Sequence, residues 1–110
     1  MERFVSGDVI VIDFPFSDLK DSKRRPSLII KVPKGEDIII CQITAESQES
    51  SVEIPLNSED FESGNLKRKS FVRIDKITTL NRSRIKYRIG SLKQKKVNEV
   101  LDKVCLYIRN

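Results

Sequence analysis

The chain opens with an apolar run, Gly7-Asp8-Val9-Ile10-Val11-Ile12-Asp13-Phe14-Pro15-Phe16, and restarts, after a polar stretch, with Arg24-Arg25-Pro26-Ser27-Leu28-Ile29-Ile30. Both apolar runs are short and rich in β-branched or aromatic residues, which suits strands and not helices. The first strand is predicted over Asp8–Phe16, with Pro15 ending its ladder or lying on an edge. Ser17–Arg24 reads as a surface loop. A residue before proline is driven towards extended geometry, and Pro26 fixes its own φ. Backbone sterics therefore set Arg25 at the lip of the second strand, predicted over Pro26–Val32.

Pro33-Lys34-Gly35-Glu36-Asp37 then turns the chain, and Ile38–Thr44 returns as a third strand. So short a connection makes an antiparallel hairpin. Val52-Glu53-Ile54 suggests a brief strand before Pro55. Asn57 or Ser58 is placed to cap one helical turn through Phe61, broken by Ser63-Gly64-Asn65. Alternation from Val72 towards Thr79, and again at Ile85, Tyr87 and Ile89, marks two more strands. Ser91-Leu92-Lys93-Gln94 has capping-box spacing. Beyond it, Val97, Val100, Leu101, Val104 and Ile108 form one apolar stripe at helical spacing. Many short strands and one terminal helix predict a mainly β fold, a small twisted barrel or half-open antiparallel sheet sealed by that helix.

At 110 residues the sequence fits a single domain, 1–110. Twenty-one Lys and Arg against 16 Asp and Glu give a net charge of +5. That balance suits a polyanionic partner, and equally a solvated basic surface. Histidine is absent, which removes the commonest general base and any His-containing zinc site. No metal or cofactor is called for. Cys41 and Cys105 each lie in an apolar run and are expected as buried, reduced thiols. There is no long apolar N-terminal segment, so a soluble, cytoplasmic protein is expected.

Two residues stand out as possible chemistry. Arg25 carries a planar guanidinium whose paired donors match two oxygens of one phosphate. Thr44 ends the strand Ile38-Ile39-Ile40-Cys41-Gln42-Ile43 and offers a hydroxyl at its exit. Taken singly, each is an ordinary residue: an arginine closing a hairpin and a β-former at a strand end. The basic residues Lys67-Arg68-Lys69, Arg82, Arg84, Lys86 and Arg88 are candidates for a phosphate-tracking groove, the 67–69 run being as readily a solvated rim. Phe16 and Tyr87 are candidate base-stacking rings, though burial in the core is the simpler reading of both. The helical stripe reads as core packing.

In order along the chain stand Gly7-Asp8, Arg25-Pro26, Ile43-Thr44, Val72-Arg73-Ile74-Asp75-Lys76-Ile77, Arg82-Ser83-Arg84-Ile85 and Ile89-Gly90-Ser91-Leu92. This ordered set resembles the PemK/MazF family of toxin endoribonucleases, and the Asp13-Phe14-Pro15-Phe16 step resembles its PemK-type branch. The resemblance implies an SH3-like β-barrel with helices, a homodimer, cleavage of single-stranded mRNA without a metal, and neutralisation by an antitoxin protein. It implies Arg25 and Thr44 as the catalytic pair. It also implies RNA contacts from the loop residues Ser17, Lys20, Lys23 and Arg24, to which Glu46, Asp75, Arg82 and Arg84 are added. The loop departs from many members in carrying Lys20-Asp21-Ser22-Lys23-Arg24 without a glycine, so no cleavage sequence carries over.

The chemistry asks for in-line attack of a ribose 2′-hydroxyl on the adjacent phosphorus. Arg25 suits stabilisation of the growing negative charge, and Thr44 suits alignment of the phosphate. Asp21, Glu46, Asp75 or water are the candidates for general base. Such a reaction leaves a 2′,3′-cyclic phosphate (or 3′-phosphate) and a 5′-hydroxyl. Two other classes compete: a non-enzymatic inhibitor of the same fold that poisons DNA gyrase, and an inactive SH3-like binding module. The gyrase poisons act through a terminal helix ending in tryptophan, and this chain has no tryptophan.

Overall fold

The computed structural model describes residues 3–14 and 23–110. Seven antiparallel strands and one helix follow in the order β1 (Asp8–Phe14), β2 (Lys23–Lys31), β3 (Asp37–Thr44), β4 (Glu53–Leu56), β5 (Phe61–Gly64), β6 (Ser70–Asn81), β7 (Ile85–Leu92) and α1 (Gln94–Arg109). The strands form one sheet in the order β4-β6-β3-β2-β1-β7-β5. Its edges do not pair with each other, so the sheet is a curled half-barrel. The expected fold class holds, with an open sheet rather than a closed barrel.

Successive side chains on a strand point to opposite faces, and here both faces are buried. Val9, Leu28, Cys41 and Val72 belong to one cluster, covered by Val97, Val100 and Val104 of α1. Their chain neighbours Ile10, Ile29 and Ile40 belong to a second cluster with Ile12 and Ile38, which Phe4, Val32 and Leu80 flank. Two-sided burial explains why β3 reads as an unbroken apolar run and not as an alternation.

β2 begins at Lys23, earlier than the expected Pro26, because Lys23, Arg24 and Arg25 pair with Phe14, Asp13 and Ile12 of β1. Pro15 and Phe16 lie outside the described residues. β4 runs through Pro55, which is tolerated because β4 is an edge strand. The helical turn at Ser58–Asp60 is a single 3-10 turn, in which Asp60 Oδ2 accepts the Asn57 N–H at 2.7 Å.

The expected break at Ser63-Gly64-Asn65 is instead the end of β5, a strand made by its partner β7 and not by its own composition. Gly64 faces Gly90 across that pair. A Cβ on Gly90 would stand 2.3 Å from Ser63 O, and one on Gly64 2.2 Å from Ile89 O. The glycines thus permit an approach that no side chain would.

The capping box expected at Ser91–Gln94 does not form. Ser91 remains in β7, and Lys93 is the N-cap of α1. Cys41 is buried as expected, and burial, with Asp75 adding a smaller push, raises its thiol pKa to about 12. Cys105 is exposed, contrary to expectation. Residues Cys105 to Asn110 are all exposed, in contrast to Val97, Val100 and Val104 on the earlier turns of α1. Ile108 continues the apolar stripe yet is 66% exposed.

Candidate RNA-cleavage site

β2 and β3 pair with Ser27 opposite Gln42, Leu28 opposite Cys41 and Ile29 opposite Ile40. Arg25 lies two residues before Ser27 and Thr44 two residues after Gln42, so both stand beyond the same end of this ladder. Both residues line a cleft of about 860 Å³. β2 supplies Arg24, Arg25 and Pro26. The end of β3 and the residues after it supply Ile43 to Glu46. The β5–β6 connection supplies Asn65 to Arg68, and β7 supplies Tyr87 and Ile89. Arg24, Arg25, Lys67 and Arg68 set four cations on this lining against one carboxylate, Glu46. Arg25 is half-buried, so its guanidinium meets the cleft from a fixed strand and not from a loop tip.

The hydroxyl of Thr44 closes a small turn. Its Oγ1 accepts the Glu46 N–H at 3.1 Å and donates to Glu46 O at a loose 3.4 Å. Short polar side chains hold strand exits in this way. The accepted bond fixes the oxygen, while the weak donated one leaves the proton ready for a stronger acceptor such as a phosphate oxygen.

The loop beyond is wound on Glu53. Its carboxylate accepts Ser47 Oγ at 3.0 Å, Gln48 N–H at 2.8 Å and Ser50 N–H at 3.4 Å. The Gln48 bond is the main cause that holds Glu53 below the usual carboxylate range.

Of the residues expected to contact RNA, Arg24 and Glu46 line the cleft. Ser17, Lys20 and the candidate base Asp21 lie outside the described residues, as does the side chain of Lys23. Asp75 does not line the cleft. Arg73 binds both its oxygens, Nε to Oδ1 at 2.9 Å and Nη2 to Oδ2 at 2.8 Å, and this pairing lowers its pKa.

Arg82 and Arg84 form a 3-10 turn after Asn81, which pairs with Asp37 at the opposite end of β3 from Thr44. Arg82 is engaged there by Glu36 at 3.6 Å and by Gly35 O at 3.0 Å. Two other basic candidates tie the framework together: Lys86 pairs with Asp13 at 2.9 Å, and Arg88 with the buried Asp8 at 3.3 Å.

Tyr87 is 52% exposed on the cleft wall, not in the core. β7 pairs with β1 through bulges on both sides of the Val11–Tyr87 pair. They send Ile85 to one core and Ile89 to the other. The regular alternation read from Ile85, Tyr87 and Ile89 therefore misplaces the tyrosine. Asn65 and Ser70 carried no signal in the sequence.

A family model for the PemK-like, MazF-like toxins of type II toxin-antitoxin systems matches residues 6–108. The chain belongs to this family. The solved structures similar to it include MazE–MazF from Deinococcus radiodurans, with a TM-score of 0.75 and 19% identity over 94% of each chain. The Mycobacterium tuberculosis toxin MazF-mt6 has a TM-score of 0.68 and 19% identity over 88% of this chain and 90% of that one. A mycobacterial endoribonuclease solved with its cognate antitoxin has a TM-score of 0.70 and 17% identity, over 94% and 95%. No individual curated protein matches the chain.

Within the PemK/MazF pattern, the Gly-Asp step has a structural role here. Asp8 is 2% exposed, and its carboxylate accepts Val5 N–H at 2.9 Å and Ser91 Oγ at 2.7 Å. It thereby ties the first strand to the Ile89-Gly90-Ser91-Leu92 step of β7. Among the described residues, no helix is long and apolar enough to cross a membrane.

Proposed function

We propose that this toxin is a metal-independent endoribonuclease that cuts single-stranded mRNA in the Arg25–Thr44 cleft. One observation carries the reading: a strand-anchored guanidinium and a strand-end hydroxyl open on the same cationic cleft. A permanently charged fork supplies the positive charge that phosphoryl chemistry needs.

In the proposed reaction the 2′-hydroxyl oxygen bonds to phosphorus as the bond to the 5′-oxygen breaks. Arg25 donates to the phosphoryl oxygens, on which charge accumulates. Thr44 donates to the same phosphate and holds it in line. Glu46, the one carboxylate among the described residues lining the cleft, takes the 2′-proton directly or through water, and water protonates the leaving oxygen. The products are a 2′,3′-cyclic phosphate and a 5′-hydroxyl. Tyr87 offers a ring on which a flanking base stacks. We infer a homodimer, a cytoplasmic setting and a cognate antitoxin from membership of the family.

The test is incubation of the purified protein with a mixed-sequence single-stranded RNA in EDTA. Cutting that leaves 5′-hydroxyl ends, and slows by about a hundredfold or more in a folded Arg25→Ala variant, is the expected result. Cleavage that needs added magnesium, or that keeps its rate after the substitution, overturns the reading.

A further inference from the structure

Beyond the cleft lies a second cavity of about 510 Å³. The two share Asn65, Leu66, Lys67 and Arg68 as a common wall. Lys69 lines only the second cavity, where Asn57 and Glu59 stand with it. Two basins thus flank one basic ridge.

We propose that the second cavity is a subsite for the nucleotide next to the scissile one, with the intervening phosphate on the Lys67–Lys69 ridge. This rests on the reading of the first cavity as the RNA-cleavage cleft. A single nucleotide or a free phosphate fills one basin and leaves the other unused. A chain with a charge at every repeat and a sugar-base unit between charges matches basin, ridge and basin.

The lining sorts the two parts of that repeat. Lys67, Arg68 and Lys69 attract phosphate. Glu59 repels it, so the negative group stays on the ridge and the base lies towards Asn57 and Glu59. Carboxamides and carboxylates there offer donors and acceptors to a base edge. Asn65 Oδ1 already accepts Leu66 N–H at 2.8 Å, so its amide N–H groups are what it presents to a ligand. Lys69 Nζ lies 5.9 Å from the centroid of the Phe71 ring, which steadies it beside the ridge.

The test compares binding of a single 2′-O-methyl nucleoside 3′-phosphate with that of a seven-nucleotide 2′-O-methyl RNA of mixed sequence, whose blocked 2′-oxygens prevent cleavage. Fluorescence anisotropy gives the affinity of each at several salt concentrations. Each phosphate neutralised on a single strand adds about 0.7 to the slope of log affinity against log salt. Lys69→Ala, with its fold checked by circular dichroism, is expected to lower the slope for the longer RNA by about that amount. Binding of the single nucleotide should be unaffected, whereas Arg25→Ala should weaken both.

An unchanged slope for the longer RNA in Lys69→Ala overturns the second subsite while leaving the cleft reading intact. Equal loss for the single nucleotide and the heptamer also overturns it, since Lys69 would then act on the first cavity. Failure of the wild-type protein to bind the heptamer overturns the cleft reading and the subsite together.

Discussion

Arg25 and Thr44 lie on adjacent strands, two residues past the Ser27–Gln42 pair, and line one cleft. The register of the β2–β3 hairpin sets this relationship, and that register is fixed because Leu28 and Cys41 must both reach the core beneath α1. A slip of one residue would part Leu28 from Cys41 in one core and Ile29 from Ile40 in the other. Packing on one side of the hairpin thereby dictates where the guanidinium and hydroxyl stand.

Arg25→Ala is expected to lower kcat by about a hundredfold to a thousandfold, as loss of a preorganised donor does elsewhere. Arg25→Lys should recover only part of the rate, because an ammonium lacks the planar fork. Single-turnover cleavage of a labelled RNA, with melting curves of each variant, separates this from misfolding.

Thr44→Val keeps the shape and removes the hydroxyl. A hydrogen bond to a charged group is worth about 1.5–3 kcal/mol, so cleavage should slow by roughly tenfold to a hundredfold. Thr44→Ser should retain most of the rate. Equal rates for Val and Ser would show that the hydroxyl takes no part.

Glu53 makes the loop after Thr44 sensitive to acid. Its folded-state pKa is lowered below 4.5, first by the Gln48 backbone bond. A depressed carboxylate stabilises the fold above its unfolded pKa and loses that contribution as the pH falls through its folded value. Asp75, lowered mainly by its bond from Arg73, behaves likewise. Stability should therefore fall below about pH 4.5, the ordinary range for such groups. Glu53→Gln should flatten part of that fall and leave the Asp75 part. Amide exchange at Gln48 and Ser50 should speed up in the same variant at neutral pH, which hydrogen-exchange NMR would register.

Gly90→Ala forces a methyl group to within 2.3 Å of Ser63 O. Overpacking against backbone costs about 1–3 kcal/mol or more, so the urea midpoint should drop clearly. Gly35→Ala tests a different effect. Nothing lies within 4 Å of its added Cβ, and it should destabilise less, through its positive φ alone.

The two thiols should differ sharply towards a thiol-reactive dye. Cys105 is exposed and should label in the native state. Cys41, fully buried and with its pKa pushed up to about 12, should label only on unfolding. Native labelling of both would contradict the described packing around β3.

Much of the fold was legible locally. β1, β3, β6 and α1 follow from β-branched runs and a helical stripe, whereas the start of β2 was placed at Pro26 and lies at Lys23, because three residues before the proline already pair with β1. β5 was not legible, because Phe61-Glu62-Ser63-Gly64 has little strand character. It becomes a strand only where Gly64 meets Gly90. Tyr87 was misread because bulges in the β1–β7 pairing break the alternation on which the reading relied. Arg82 and Arg84 looked like neighbours of the site, but the length of β3 separates them from Thr44.

The sequence by itself determined the residue types, the β2–β3 hairpin and an extended backbone at Arg25, since propensity and proline sterics act over a few residues. Tertiary structure alone decided that Lys67 and Arg68 join the cleft, that Tyr87 faces outward and that the last turn of α1 stands uncovered. Those outcomes depend on strand order, bulges and the reach of one layer over another. They arise from contacts between segments far apart in the chain, to which local pattern is blind.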